Sequence, residues 1–356
     1  MNREFTKEHS NITKGLAIIL LLFHHVFYDR FVLGNLDDRI FLFQPISEVL
    51  CKYGYICIFV FATISGYGIS KSMDKNGGDI KKTIIDRETN LLGTFVPVFV
   101  FSSILYILFN SNGINAYLTV YGLGQYNVAS IAVRILISML GLGVVFHVPN
   151  FNATWWYMSA AHIIIIILPL FIKIAKKYNI KYIVLIAFVG YCAYTEPGFP
   201  PLSCCLLASY VGFCLSDSCI FNKDLSATGK MLVLITSVFT ILVSICLLET
   251  LDGYFVFALL GITLMLIVKY NMPKLLYKPL EVIGKYSDVV FMIHTLFVSS
   301  IKATSALVSE FKYAISSYMF VFALSLGTSI IVHKALNNRK YVYFIAKVKE
   351  KLYSIH

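Results

Sequence analysis

Charged side chains are scarce in this sequence. They make up 14% of the 356 residues, against about 25% in soluble domains. So dilute a set cannot solvate a globular surface, which excludes an ordinary water-soluble fold. C-x-x-C spacing is missing as well, so the eight cysteines carry no zinc-ribbon or redox signature. Most of them (Cys57, Cys192, Cys204, Cys205, Cys214, Cys246) sit in apolar runs and read as small buried hydrophobes. No basic helix, zinc spacing or RNA-binding motif accompanies the formal charge of +11, which excludes nucleic acid as the partner that charge serves. There is no repeat with a period of about 20 to 50 residues, and no Gly/Ser-rich or Pro-rich linker. Residues 1–356 therefore read as one domain. No small-residue cleavage site follows the first apolar run, which is expected to remain as a span.

What the sequence has in abundance is apolar length. Hydrophobic residues are 58% of the chain and the mean hydropathy is +0.76. A helix crosses a hydrocarbon layer of about 30 Å in roughly 20 residues. Apolar runs bounded by charges, Gly, Pro or Asn fall near 13–28, 49–70, 91–109, 154–172, 182–194, 202–215, 231–248, 254–268, 287–301 and 314–332. The expectation is an all-α polytopic membrane protein of about ten transmembrane helices. One further run, 129–148, carries Arg134 and is broken by Gly141 and Gly143. With ten spans and a cytoplasmic N-terminus, 24 of the 30 basic residues fall on inner segments, as the positive-inside bias requires. Counting 129–148 as a span would scatter that bias, so it is expected to be re-entrant or interfacial, with both termini cytoplasmic.

Ionisable groups inside a span cost at least a few kcal/mol and need a partner, a water path or a task. The first span holds several. Lys14 and His25 are eleven positions apart, nearly three helical turns, so they share a face about 16 Å apart along the axis. Asp29 follows one turn after His25, where a carboxylate can orient an imidazole as in a general base. His24 points about 100° away and reads as a packing residue. In the second span, Ser65, Gly66, Tyr67 and Gly68 form a small-residue stretch that lets another backbone approach; Ser65 is also a candidate relay. Trp155, Trp156 and Tyr157 open the fourth span as an aromatic belt or a substrate surface. The ninth carries His294 after Ser287 and Asp288.

Several of these blocks resemble one family. Lys14-Gly15-Leu16-Ala17 with His25 is similar to the opening signature of the acyltransferase family 3 membrane proteins, a basic residue, ten intervening residues, then histidine. Ile58-Phe59-Val60-Phe61 leading to Ser65-Gly66-Tyr67 resembles the family's second span, and Thr154-Trp155-Trp156-Tyr157 its fourth. Ile283-Gly284-Lys285-Tyr286-Ser287 leading to Phe291-Met292-Ile293-His294 resembles its penultimate span. The blocks cover about a tenth of the chain and keep the family's order. Two features depart from the pattern. Lys14 stands where many members have arginine, and Asn90, Leu91, Leu92 and Gly93 precede Pro97 where the family often places arginines; the nearest bases are Lys81, Lys82 and Arg87.

The resemblance implies a membrane-bound O-acyltransferase of a bacterial plasma membrane, with acetyl-CoA or another acyl-CoA as donor substrate and no permanently bound cofactor or metal. The acceptor it implies is a hydroxyl of a surface or capsular polysaccharide, or of its lipid-linked precursor. His25 becomes the catalytic histidine, as general base or acyl carrier, with Asp29 beside it. Lys14, Lys81, Lys82 and Arg87 become candidates for the donor's phosphates, and Ser65, Trp155, Trp156, Tyr157 and His294 for the acceptor. Membrane lipids are the remaining partner, and no feature of the sequence sets an oligomeric state. Two other classes stay open: a secondary transporter of a small polar solute, and a non-catalytic membrane sensor or assembly factor.

Overall fold

The computed structural model describes residues 4–32, 51, 53–195, 201–251, 255–311 and 313–354. Helices account for most of the described backbone, and among the described residues there is no strand, only an isolated bridge between Leu123 and Tyr126. Among the described residues, six helical segments are long and apolar enough to cross a bilayer: Lys7–Tyr28, Gly54–Lys75, Ile80–Phe109, Ala153–Tyr178, Ala227–Ser244 and Ala314–Leu336. A seventh results if Lys274–Lys285 and Ser287–Ser300, parted at Tyr286, make one span. The protein is thus an all-helical polytopic membrane protein. The remaining expected spans fall on shorter apolar helices, Lys181–Tyr194, Leu202–Ser216 and Leu260–Tyr270. A helix of 15 residues such as Leu202–Ser216 is about 23 Å long, less than the hydrocarbon thickness of about 30 Å. In the 129–148 region a 12-residue helix, Val128–Met139, is capped by the Asn127 side chain, which accepts from Ser130 N, and gives way to turns.

The backbone divides into two compact units. The first contains residues 1–17, 56–87 and 160–285. Helix α1 (Lys7–Val32) supplies its first residues, followed by α2 (Cys57–Lys75) and the opening of α3 (Ile80–Phe109). Within this unit α2 packs along α8 (Leu202–Ser216). Lipid is as apolar as leucine, so two helices gain little by burying leucines against each other and associate through close backbone approach at small residues. Gly66 and Gly212 provide that approach reciprocally: a Cβ on Gly66 would overlap the Ser209 carbonyl oxygen, and one on Gly212 the Thr63 carbonyl oxygen. A third helix, Phe255–Tyr270, joins them through Gly261, where a Cβ would overlap the Thr63 hydroxyl. Cys57, Cys204 and Cys205 are wholly buried, and Cys192 is buried as well. Cys246 is exposed and Cys214 half-buried, against the expectation for them. Cys246 lies on a helix, Ala227–Leu251, whose Leu232, Phe239 and Leu242 also face outward, as a lipid-contacting helix allows. Polar ends close the unit: Lys176 Nζ meets Asp74 Oδ1 at 2.7 Å, and Lys181 Nζ meets Asp217 Oδ2 at 2.7 Å.

The second unit contains residues 18–55, 88–159 and 286–356. Its centre is α12 (Ser287–Thr295), which continues as one π-turn over Leu296–Ser300 and packs on α14 (Ala314–Leu336). Single π-turns are rare and concentrate at functional sites. Gly54 lets the segment before α2 come down on α1, where a Cβ would overlap both the His24 side chain and the Leu20 carbonyl oxygen. The C-terminal helix α15 (Arg339–Tyr353) begins three residues after α14 ends and lies against the part of α3 in this unit. Tyr341 donates to the Gly93 carbonyl oxygen, and Lys349 Nζ to Asn90 Oδ1 at 3.0 Å. Asn90 and Gly93, at the place where the resemblance leads one to expect arginines, thus serve as the seat of α15.

Candidate active site around two histidines

His25 and His294 come from opposite ends of the sequence and meet in the second unit, with ring centroids 4.9 Å apart. Helical periodicity aims His25 from α1, with His24 on its flank at 5.0 Å between centroids. His24 has a structural partner: its Nδ1 donates to the Cys51 carbonyl oxygen, and its ring lies against Tyr28 and Tyr55. That matches a packing residue.

His294 is fully buried. Its Nδ1 faces the carbonyl oxygens of Phe291 at 2.9 Å and Val290 at 3.2 Å. A carbonyl only accepts, so Nδ1 carries a proton and donates, and in the neutral ring Nε2 carries the lone pair. Nε2 is buried with no hydrogen-bond partner among the described residues. A buried polar atom without a partner costs about 1–3 kcal/mol. Such an atom beside a second imidazole is a candidate proton acceptor.

The backbone that holds His294 is fixed by an asparagine. Asn152 Nδ2 donates to the Met292 carbonyl oxygen at 3.0 Å, and its Oδ1 accepts from the hydroxyls of Thr295 at 2.6 Å and Thr154 at 2.8 Å. Trp155 Nε1 donates to the same Met292 oxygen at 2.8 Å. One turn on, Ser300 Oγ donates to the Phe151 carbonyl oxygen, and Asn110 Nδ2 to that of Ser300. The Met292 carbonyl takes two side-chain donors about one turn before the π-turn, where the helical hydrogen-bond ladder changes register. In an apolar surrounding each of these bonds also satisfies a group that water cannot reach.

The other expected site residues divide between the units. Trp155 is enclosed by Phe95, Phe99 and Phe151 at 4.8–5.3 Å between centroids, so its indole supports the helix carrying His294. Tyr157 packs edge-on against Phe291 at 5.2 Å, next to the same helix, and Trp156 against Tyr157 at 5.9 Å. The side chain of Asp29 lies outside the described residues. Lys14, Ser65, Lys81, Lys82 and Arg87 belong to the first unit. Lys14 and Ser65 are half-buried, and Lys81 and Lys82 are exposed on the first turn of α3, which Asp79 caps by accepting from Lys82 N at 2.9 Å. Arg87 has a definite role in packing: its Nη2 donates to the Gly68 carbonyl oxygen and, at 2.5 Å, to Ser72 Oγ.

Asn152, Thr295 and the Met292 carbonyl were not anticipated as site components. An asparagine two residues before Thr154, at the mouth of an apolar run, was the available signal. No group of three or more His, Cys, Asp or Glu side chains among the described residues is arranged to hold a metal ion. Comparison of the chain with family models, with curated proteins and with solved structures finds no match.

Proposed function

We propose that the chain is a membrane-embedded O-acyltransferase with ten spans and both termini in the cytoplasm of a bacterial cell. It moves acetyl, or another short acyl group, from acyl-CoA to a hydroxyl of a surface or capsular polysaccharide or of its lipid-linked precursor. The observation that carries this reading is the 4.9 Å pairing of His25 with His294, the histidines of the first and last blocks that resemble acyltransferase family 3. A purely structural protein has no use for a proton-accepting nitrogen held beside a second imidazole.

In the proposed reaction a His25 nitrogen takes the proton of the acceptor hydroxyl while the hydroxyl oxygen adds to the thioester carbonyl carbon. Collapse of the tetrahedral intermediate breaks the C–S bond and forms the ester. The leaving thiolate of coenzyme A takes the proton back from His25, so the histidine ends as it began. His294, with Nδ1–H tied to backbone, offers Nε2 as acceptor for the second N–H of His25 and so orients the imidazole, the task first expected of Asp29. Lys14, Lys81 and Lys82 are the proposed contacts for the donor's phosphates. Trp156 and Tyr157 are the proposed acceptor contacts.

The test is NMR of the host's surface polysaccharide from wild type, a gene deletion and a His25→Ala strain with matched protein levels. Loss of one O-acyl signal in both mutants is the expected result. Unchanged O-acylation in the deletion strain would discard the polysaccharide acceptor.

A further inference from the structure

Helix α15 is the least apolar of the helices with a long free face. It carries Arg339, Lys340, Lys347, Lys349 and Lys351 against one acid, Glu350, and buries no residue completely. Within the second unit it rests on α3 through Tyr341, Ile345 and Lys349, which are half-buried. At about 100° per residue, Lys340, Lys347 and Lys351 fall within an arc of about 40°. Phe344 stands at the edge of that arc, exposed by 59%. Tyr343 is exposed by 61%, with Lys347 Nζ 4.8 Å from the centre of its ring. Long basic side chains around exposed aromatic rings are the composition of a helix lying in a lipid headgroup layer, where the rings enter the acyl boundary and the ammonium groups stay at the phosphates.

Connectivity fixes the depth. The spanning helix α14 ends at Leu336, and α15 begins at Arg339 after a turn capped by Asn338, whose side chain accepts from Lys340 N. The start of α15 is therefore within a few ångströms of the membrane surface. We propose that the Lys340, Lys347, Lys351 stripe of α15, with Phe344 and Tyr343, is a docking surface for the headgroups of anionic phospholipids. Three lysines facing phosphate carry charge complementarity that a zwitterionic headgroup lacks.

The experiment uses the full chain in neutral detergent micelles, with phosphatidylglycerol and phosphatidylcholine as probes and native mass spectrometry as the readout. Wild type is expected to retain phosphatidylglycerol at least about tenfold more tightly than phosphatidylcholine, with the preference collapsing in molar salt. The K340Q/K347Q/K351Q variant is expected to lose the preference while its melting temperature in phosphatidylcholine micelles stays at the wild-type value; K340R/K347R/K351R is expected to keep it. Equal retention of the two lipids by wild type would overturn the proposal. So would an undiminished preference in the glutamine variant, or displacement of bound phosphatidylglycerol by free coenzyme A, which would assign the stripe to a soluble anion. Should the glutamine variant fail to fold, the wild-type salt dependence and the arginine variant still decide.

Discussion

Asn152 joins two segments far apart in sequence by giving its amide hydrogens to the Met292 carbonyl oxygen and taking the Thr295 hydroxyl on its Oδ1. His294 lies between those two residues. The position of its ring is therefore set by a side chain on another element, and the site depends on polar groups that do no chemistry themselves.

Replacing Asn152 by alanine leaves the buried Thr154 and Thr295 hydroxyls without their shared acceptor. Each lost bond is worth about 1 kcal/mol, so N152A is expected to lower stability by about 2–3 kcal/mol and to depress acyl transfer with it. Trp155→Phe removes the N–H and part of a buried ring, while Asn152 still serves the Met292 oxygen. The lost bond is expected to cost about 1 kcal/mol and the emptied ring space about 1–2 kcal/mol more. Thermal unfolding of the two variants in detergent, beside wild type, provides the check; a wild-type midpoint in either would contradict the role given to these contacts.

His294 has two nitrogens with separate tasks, and two substitutions separate them. Asparagine places an amide near Nδ1 and can keep the bond to the Phe291 carbonyl, but it has nothing at Nε2. His294→Asn is therefore expected to fold and to lose about 10²- to 10⁴-fold in acyl transfer, because the general base His25 loses the acceptor that orients it. Glutamine reaches the position of Nε2 and is expected to retain more activity at lower stability. Acyl transfer and melting temperature measured together decide the matter; an asparagine variant of full activity would make His294 a packing residue.

Much of this could be read from residue types. The small-residue stretch at Gly66 reads as a helix contact, and its partner at Ser209 is what the fold adds. His25 stands out because an imidazole in an apolar run is costly. Its pairing with His294 was not legible, because periodicity places side chains on one helix and says nothing about which helices meet. Hydropathy finds apolar runs, but Leu202–Ser216 is shorter than the hydrocarbon layer, and only packing shows that α8 exists to support α2. From composition Trp155 reads as an interfacial or substrate-facing ring. Its burial follows from an N–H acceptor at Met292, which no local pattern announces.

The glycines of the first unit give a sharp contrast. Gly66→Ala and Gly212→Ala each insert a methyl group where a backbone oxygen of the facing helix already sits, and moving α2 from α8 is expected to cost at least about 1–3 kcal/mol. Gly190 lies in the helix Lys181–Thr195 with nothing within 4 Å of an added Cβ. There alanine removes only the entropy of glycine, so Gly190→Ala is expected to be neutral or to stabilise by up to about 1 kcal/mol. Unfolding midpoints of the three variants provide the check.

Arg87 separates a structural basic residue from a donor-binding one. Its guanidinium lies over Gly68 and reaches both the Gly68 carbonyl and Ser72 Oγ from one nitrogen. Lysine has the charge without that planar reach, and hydrogen bonds from a charged donor are worth about 1.5–3 kcal/mol. Arg87→Lys is therefore expected to lower the melting temperature while leaving the KM for acetyl-CoA close to wild type. Exposed Lys81 and Lys82 are expected to behave in the opposite way: K81Q/K82Q removes two positive charges from the first turn of α3 without breaking a buried contact, so stability holds and KM rises. A large KM increase in Arg87→Lys at unchanged stability would return the arginine to the donor site and make its bonds to α2 incidental.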